Sequence, residues 1–353
     1  MSVVKGLKIP GNLKKIGIYV GVSALGDFLF IVPTFRAFKN AFPGAEIVFI
    51  GKILHKYVIP VFENCPHIDR IIEFHLYEKK SFAAYAGFVR RMRKEKFDLI
   101  VDTQRKFVPS LLLRLAGSDY MVSHSSKGIF SDFPVPVPDR CKRHTSDISL
   151  DLARAVGIEN PETELEITTG EENKRYAVEF LASKGVTDTD ILAGLIPNAG
   201  FHTRRWTSEK FGQLADRLHD DSGCRIILFG AESDRPVLEE VAANTTAPVI
   251  FEDFSRKSIM DSAALMEKCD IIVGVDSGPL HVADAVGTPC VGIYGPTLPE
   301  RFGLLGGNCI EICSYADCSP CSDTICAHRK CITEISVDEV NNAAVKLLGI
   351  RCR

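Results

Sequence analysis

Residues 270–297 read DIIVGVDSGPLHVADAVGTPCVGIYGPT. The run DIIVGVD (270–276) is a short, nearly continuous Val/Ile stretch closed by Ser-Gly-Pro, the pattern of a strand buried on both faces. A helix-period segment over 278–286 follows, then a second apolar run, PCVGIYG (289–295). Strand, helix and strand in this order form a unit whose strands run parallel. The same rhythm extends outward in both directions. Upstream, the sequence predicts strands at 191–197, 224–230 and 248–251, with helices over 171–184, 208–220, 235–243 and 258–268. Further upstream it predicts strands at 15–21, 45–51, 68–74 and 97–103, with helices over 26–42, 52–63 and 83–95. Between about 123 and 165 the pattern weakens, with Pro134, Pro136, Pro138 and Pro161 and one helical piece at 146–156. The expected fold class is therefore α/β, with two doubly wound Rossmann-like domains facing across a cleft. Their expected bounds are 1–165 and 166–335. A last segment, 336–353, carries a helix over 336–348 expected to pack back on the first domain.

The 353 residues are 46% hydrophobic and 25% charged, which excludes collagen-like, disordered and coiled-coil chains. A net charge of −3 hides an asymmetry. Residues 1–160 hold 24 basic and 15 acidic side chains, and residues 161–353 hold 18 and 30. The first half should favour anionic surfaces. No apolar run is long enough to span a bilayer, and the first residues, MSVVKGLKIPGNLKK, lack the pattern of a secretory signal. A cytoplasmic protein is expected, with no transmembrane segment and no nucleic-acid partner.

Three segments could carry chemistry. In GVDSGPLH (274–281), Asp276 ends a strand and Ser277-Gly278 opens a helix. Free N–H groups and the helix dipole suit a phosphate there, Asp276 could accept from sugar hydroxyls, and His281 points from the first turn. The same residues also read as a plain helix cap with a core histidine. In IPNAGFHTRRWTSEKF (196–211), Arg204 and Arg205 lie in a loop at a strand's carboxyl end, where paired guanidiniums can hold a diphosphate. A solvated basic loop is the alternative, and Trp206, the single tryptophan, reads as packing. In VSALGDFLFIVPTFRAF (22–38), Asp27 opens the first helix. It could take a proton from an acceptor hydroxyl, or serve only the helix dipole. No G-x-G-x-x-G follows the first strand, and no P-loop is present. The one D-x-D, Asp188-Thr189-Asp190, reads as turn chemistry.

Six of the twelve cysteines fall between Cys309 and Cys331. Cys318, Cys321, Cys326 and Cys331 are spaced C-x2-C-x4-C-x4-C, suited to a structural Zn²⁺ or an iron–sulfur cluster. Redox-active or inert thiols are the other readings.

Taken together, the Gly26-Asp27 turn with Pro33, the Arg204-Arg205-Trp206 loop, and DSGPLH (276–281) running into GIYGPT (292–297) resemble the ADP-heptose:lipopolysaccharide heptosyltransferases, glycosyltransferase family 9. The resemblance spans nearly the whole chain in order. It implies a GT-B fold and an inverting transfer of heptose from ADP-heptose to the lipopolysaccharide inner core, at a Kdo or heptose acceptor on lipid A. It further implies no cofactor for catalysis and a peripheral station at the inner membrane. Residue by residue, it makes Asp27 the base, and it makes Arg204, Arg205, Asp234, Asp276, Ser277, Gly278 and His281 donor-binding. Phe201-His202-Thr203 departs from the family's usual small or acidic run. The basic stretch from Lys79, Lys80 and Arg90 to Arg114 would suit a phosphorylated lipid at an anionic membrane. Two rival readings share the fold: a nucleotide-sugar epimerase, and a non-catalytic regulator that senses metal through the cysteines.

Overall fold

The computed structural model describes residues 9–53, 55–74, 81–124, 129–136, 143–255, 258–314, 316–321 and 323–349. The chain divides into two compact units, Met1–Thr163 and Glu164–Arg353. Each is built on a six-stranded parallel sheet.

The first sheet comprises β1 (Lys15–Ser23), β2 (Glu46–Ile53), β3 (Arg70–Glu73), β4 (Leu99–Asp102), β5 (Tyr120–His124) and β6 (Phe133–Val135), in the order β3-β2-β1-β4-β5-β6. The second comprises β7 (Leu192–Ile196), β8 (Arg225–Leu228), β9 (Val249–Phe251), β10 (Ile271–Val275), β11 (Cys290–Tyr294) and β12 (Cys309–Cys313), in the order β12-β11-β10-β7-β8-β9. Both are the doubly wound order. Each reverses direction once, between β1 and β4 and between β7 and β10, and ligands bind at such a point outside the strands' carboxyl ends.

An aspartate standing just before a strand fixes register at the opposite edge four times. Asp98, before β4, accepts the Lys14 and Lys15 N–H groups at 2.6 and 2.8 Å. Asp69, before β3, accepts Ile47 N–H at 2.7 Å. Asp132, before β6, accepts Met121 N–H at 2.8 Å. Asp270, before β10, accepts Leu192 N–H at 2.7 Å. Each carboxylate takes a backbone donor at the entry to the neighbouring strand, where the ladder has not yet begun.

Right-handed crossovers set the helices on both faces. In the first unit, helix Val32–Ala41 packs on helix Thr145–Ala155, and helix Phe82–Glu95 packs beside helix Phe107–Leu115. Phe88, Met92, Leu112 and Leu113 fill the core beneath the second pair. In the second unit, helix Ser208–Ser222 lies between helices Arg235–Ala243 and Val337–Leu347. Phe211, Leu214, Leu238, Val340 and Ala344 enter that unit's core.

Several expectations need correction. The helix expected over 26–42 is two, Leu25–Leu29 and Val32–Ala41. Pro33 cannot donate to the preceding turn, so the helix breaks ahead of it. Helix 107–115 and strands β5, β6 and β12 were not anticipated. Strands β5 and β6 are short, β6 carries Pro134, and β12 lies at the sheet edge with only half-buried residues apart from an exposed Glu311. The final helix lies on helix Ser208–Ser222 and strands β10, β11 and β12, with Val340 and Ala344 fully buried. Its apolar stripe is legible in the sequence, but the stripe does not say which core it fills.

The carboxyl end of β4 carries Asp102, which is fully buried. Its carboxylate accepts Gln104 N–H at 2.9 Å and the Ser110 hydroxyl at 2.5 Å. Burial outweighs both bonds and pushes its pKa up to about 7. A raised folded-state value means that protonated Asp102 favours folding at low pH, and that this contribution is lost as pH rises from about 4 through about 7. Asp102→Asn should therefore gain stability relative to the parent chain on going from pH 5 to pH 8, by a few degrees in Tm. Melting curves at the two pH values check this, and an unchanged difference would clear Asp102 of the effect.

Candidate functional site

The second unit's crevice lies where β7 and β10 part. Beyond β7, residues 197–205 form a loop with a short 3-10 turn at His202–Arg204. Beyond β10, Asp276 and Ser277 lead into helix Gly278–Ala285. The Arg204 guanidinium bridges the two, with Nη1 3.1 Å from Asp276 Oδ2. Asp276 is only 3% exposed. The Thr297 hydroxyl donates to the same oxygen at 2.6 Å, and His281 Nε2 lies 3.8 Å from Oδ1. Burial works to raise the Asp276 carboxyl. Bonding from His281, the Arg204 charge and the Thr297 hydroxyl overcome it and hold the group below the usual carboxylate range.

Asp276 engages Arg204 and Thr297 through Oδ2, while its Oδ1 faces His281 at 3.8 Å. His281 points into the interior toward Asp276 and is 3% exposed. Arg204 keeps further N–H donors beyond the one Asp276 uses, and its guanidinium lies 5.6 Å from the centre of the Phe201 ring. Arg205 is turned back on its own loop, with Nε donating to the Ala199 carbonyl at 3.1 Å.

Ser277 caps the helix without a side-chain bond to it. Its buried Oγ has no partner among the described residues. Buried hydroxyls are seldom left so, and here the orphan sits beside the free first-turn N–H groups of the helix. Asn198 Oδ1 is likewise buried without a partner among the described residues, while its amide donates to Asp234 Oδ1 at 2.5 Å. Asp234 Oδ2 accepts Ala231 N–H at 2.9 Å, closing the turn beyond β8. The structure thus gathers Arg204, Asp276, Ser277, Gly278 and His281 at the crevice, with Asp234 joined through Asn198.

The cysteine-rich segment braces this loop. Thr203 Oγ1 donates to the Asp323 carbonyl at 2.9 Å, and Arg329 Nη1 reaches the His202 and Arg205 carbonyls at 3.1 and 3.2 Å. The segment is itself tied to the end of β11 through Ser319 Oγ to the Gly295 carbonyl and Cys321 N–H to the Pro296 carbonyl. Trp206 is buried and donates to the Ile335 carbonyl at 3.0 Å, and Lys210 Nζ reaches the Thr333 and Ile335 carbonyls at 2.7 Å. Sequence reasoning missed Thr297, Asn198 and Arg329. Thr297 and Asn198 lay within quoted motifs, and nothing in a sequence links Arg329 to a loop more than a hundred residues earlier.

Among the described residues, no three His, Cys, Asp or Glu side chains gather to hold a metal. Cys318 and Cys321 are exposed and Cys326 is half-buried, whereas Cys331 is buried beside Gly295. Burial, then the neighbouring Cys321, Cys318 and Cys326, push the Cys331 thiol up. Cys309 and Cys313 belong to β12 and pair in register with β11. Asp188 and Asp190 stay in a turn, where Asp190 accepts Thr187 N–H at 2.7 Å.

In the first unit, Asp27 stands on the short helix Leu25–Leu29 at the carboxyl end of β1. Its side chain reaches solvent but is crowded by protein. The lost solvation raises its carboxyl above the ordinary range, opposed by a bond from Ala24 N–H. Nearby, Gly21 has φ +79°, and Gln104 fills the space a side chain would need while donating to the Val20 carbonyl at 2.5 Å.

A model of the family described as Glycosyltransferase family 9 (heptosyltransferase) matches residues 86–332. The chain belongs to this family and is a glycosyltransferase. The match contains Arg204, Arg205, Asp234, Asp276, Ser277, Gly278 and His281 and begins after Asp27. A lipopolysaccharide heptosyltransferase 3 from Escherichia coli is 23% identical over 282 residues, 77% of this chain and 81% of the relative. The solved family 9 glycosyl transferase from Veillonella parvula DSM 2008 superposes with a TM-score of 0.82 at 25% identity, covering 97% of this chain and 99% of that one. The E. coli ADP-heptose lps heptosyltransferase II follows at 0.73 and 20% identity, covering 95% and 98%. The fold is thus the GT-B type of these enzymes, and membership sets aside the epimerase and regulator readings.

Thr297→Val removes one hydroxyl from a buried, ionised carboxylate. It should destabilise the chain by about 1–3 kcal/mol, more than the same change at an exposed threonine such as Thr246. Chemical denaturation of the two variants makes the comparison.

Proposed function

We propose that this chain transfers heptose from ADP-heptose to the inner core of lipopolysaccharide, at a Kdo or heptose hydroxyl, with inversion at the anomeric carbon. The observation that carries the reading is the Arg204–Asp276 pair across the second sheet's crevice, beside the unpartnered Ser277 hydroxyl. A cation held rigidly next to a helix N-terminus is suited to a diphosphate. The donor class is drawn from relatives, among them the E. coli heptosyltransferase WaaC solved with ADP and with ADP-2-deoxy-2-fluoro heptose.

In this reading the acceptor oxygen attacks the anomeric carbon while its proton passes to the Asp27 carboxylate. The new glycosidic bond forms as the bond to the diphosphate breaks, and ADP leaves with the electron pair. Charge growing on the diphosphate meets Arg204, the Ser277 hydroxyl and the first-turn N–H groups of helix Gly278–Ala285, which are already oriented before reaction. Arg205 and Asp234 shape the walls of the donor pocket. The acceptor is lipid-borne, so the reaction runs at the cytoplasmic face of the inner membrane. No described helix is long and apolar enough to cross it.

Asp27→Asn should lower turnover about 10²–10⁴-fold and leave the affinity for ADP nearly unchanged. Because the base works only when ionised, kcat/KM should fall as pH drops through the raised Asp27 value. Incubation with ADP-heptose and truncated lipopolysaccharide acceptors, read by mass, tests both, and parental turnover in the variant would remove Asp27 from the chemistry. Arg204→Ala should weaken ADP binding at least tenfold, the loss of a charged hydrogen-bonding partner. Unaltered affinity by calorimetry would count against its phosphate role.

A further inference from the structure

We propose that Phe201 is a positioning residue for the transfer: its ring holds the Arg204 guanidinium in the orientation that meets the donor's diphosphate. The proposal rests on the functional reading above, which makes that diphosphate Arg204's partner, and it adds a residue to which that reading gave no part.

Phe201 is 46% exposed, on the loop beyond β7 that carries Arg204. The backbone sets the two side chains together. Residues 202–204 form one 3-10 turn, closed by Arg204 N–H donating to the Phe201 carbonyl at 3.0 Å. In such a turn, residues three apart lie one above the other, so Phe201 and Arg204 share a side. The two residues between them are engaged elsewhere. His202 Nε2 lies 3.4 Å from the Cys326 carbonyl oxygen, and Thr203 Oγ1 donates to the Asp323 carbonyl at 2.9 Å. The cysteine-rich segment thus holds the turn through its middle, and the ring and the guanidinium keep each other's company.

Asp276 alone does not fix the orientation of Arg204. It holds the guanidinium at one nitrogen, Nη1, 3.1 Å from Oδ2. A planar group tied at one corner can still turn about that contact, and its long stem keeps rotamer freedom. The ring supplies a second point of restraint. The guanidinium carbon sits over it, 5.6 Å from its centre, within the range at which the negative face of an aromatic ring attracts a cation. The Arg204 side chain is 29% exposed, so water screens this attraction only in part. With a carboxylate at one corner and a ring across its plane, the guanidinium is oriented before any ligand arrives. Its remaining N–H donors then meet the charge that grows on the diphosphate without first being ordered. An aliphatic side chain at 201 would occupy similar space and lack the attraction, and this difference makes the idea testable.

The test is a double-mutant cycle read by calorimetry with ADP, on the full chain. Phe201→Leu and Phe201→Met both remove the ring and keep apolar bulk. Each should weaken ADP binding about two- to fivefold and lower kcat/KM for ADP-heptose by at least as much. Phe201→Tyr keeps the ring and should stay within about twofold of the parent on both measures. Melting temperatures should match throughout, since the side chain is half-exposed. In an Arg204→Ala background, Phe201→Leu should cause no further loss, because the ring then has no cation to hold. Parental ADP affinity in the Leu and Met variants would overturn the proposal. So would a Tyr variant that loses as much as the Leu variant. Equal losses with and without Arg204 would also overturn it, since the ring would then be touching the nucleotide itself. A parent chain that fails to bind ADP would remove the functional reading and this proposal with it, whereas ADP binding that is indifferent to the ring removes the proposal alone.

Discussion

Both sheets depend on where their strands begin. A parallel ladder slipped by one residue turns every inward side chain outward, and short strands such as β3 or β6 hold too few bonds to resist it alone. The aspartates at 69, 98, 132 and 270 oppose the slip by taking the first free N–H of an adjoining strand. With the entry edge pinned, the exit edge is set by strand length, and the exit edge is where Asp27, Arg204 and Asp276 stand.

The buried Asp276 carboxylate is the second constraint. An ionised group in the interior is tolerated only when its oxygens are occupied. Thr297 and Arg204 share one oxygen, and His281 approaches the other. The consequence is positional: the loop after β7 cannot drift without exposing an unpaired carboxylate. Arg329 and the segment that follows β12 hold the same loop from its other side. Arg204 is therefore fixed by charge from within the sheet, and its loop by backbone bonds from the late part of the chain.

Long Val/Ile runs made the central strands legible in the sequence, because burial on both faces leaves a composition that few other elements share. Helices with a clear apolar stripe were legible for the same reason, as at 208–222 and 82–95. Edge strand β12 was not, since its half-buried residues do not form such a run. At the site, residue types pointed to the right segments, but partnership was hidden. Asp276 read as an acceptor for a ligand, and the fold adds that one of its oxygens accepts from its own neighbours. The four cysteines are close in sequence; a short helix at Lys330–Thr333 turns Cys331 inward while Cys318 and Cys321 stay at the surface. Arg329 could not be found at all without the fold, because its partners lie at the far end of the same unit's chain.

The chain's lone indole, at position 206, sits two residues from the arginine that meets Asp276 and is sealed beneath the final helix by its bond to Ile335. Ultraviolet emission excited at long wavelength thus originates from a single place in the molecule, the root of the loop that carries Arg204. The enzyme carries its own optical probe of that loop's fit, with no label to attach and no competing fluorophore of the same kind to subtract.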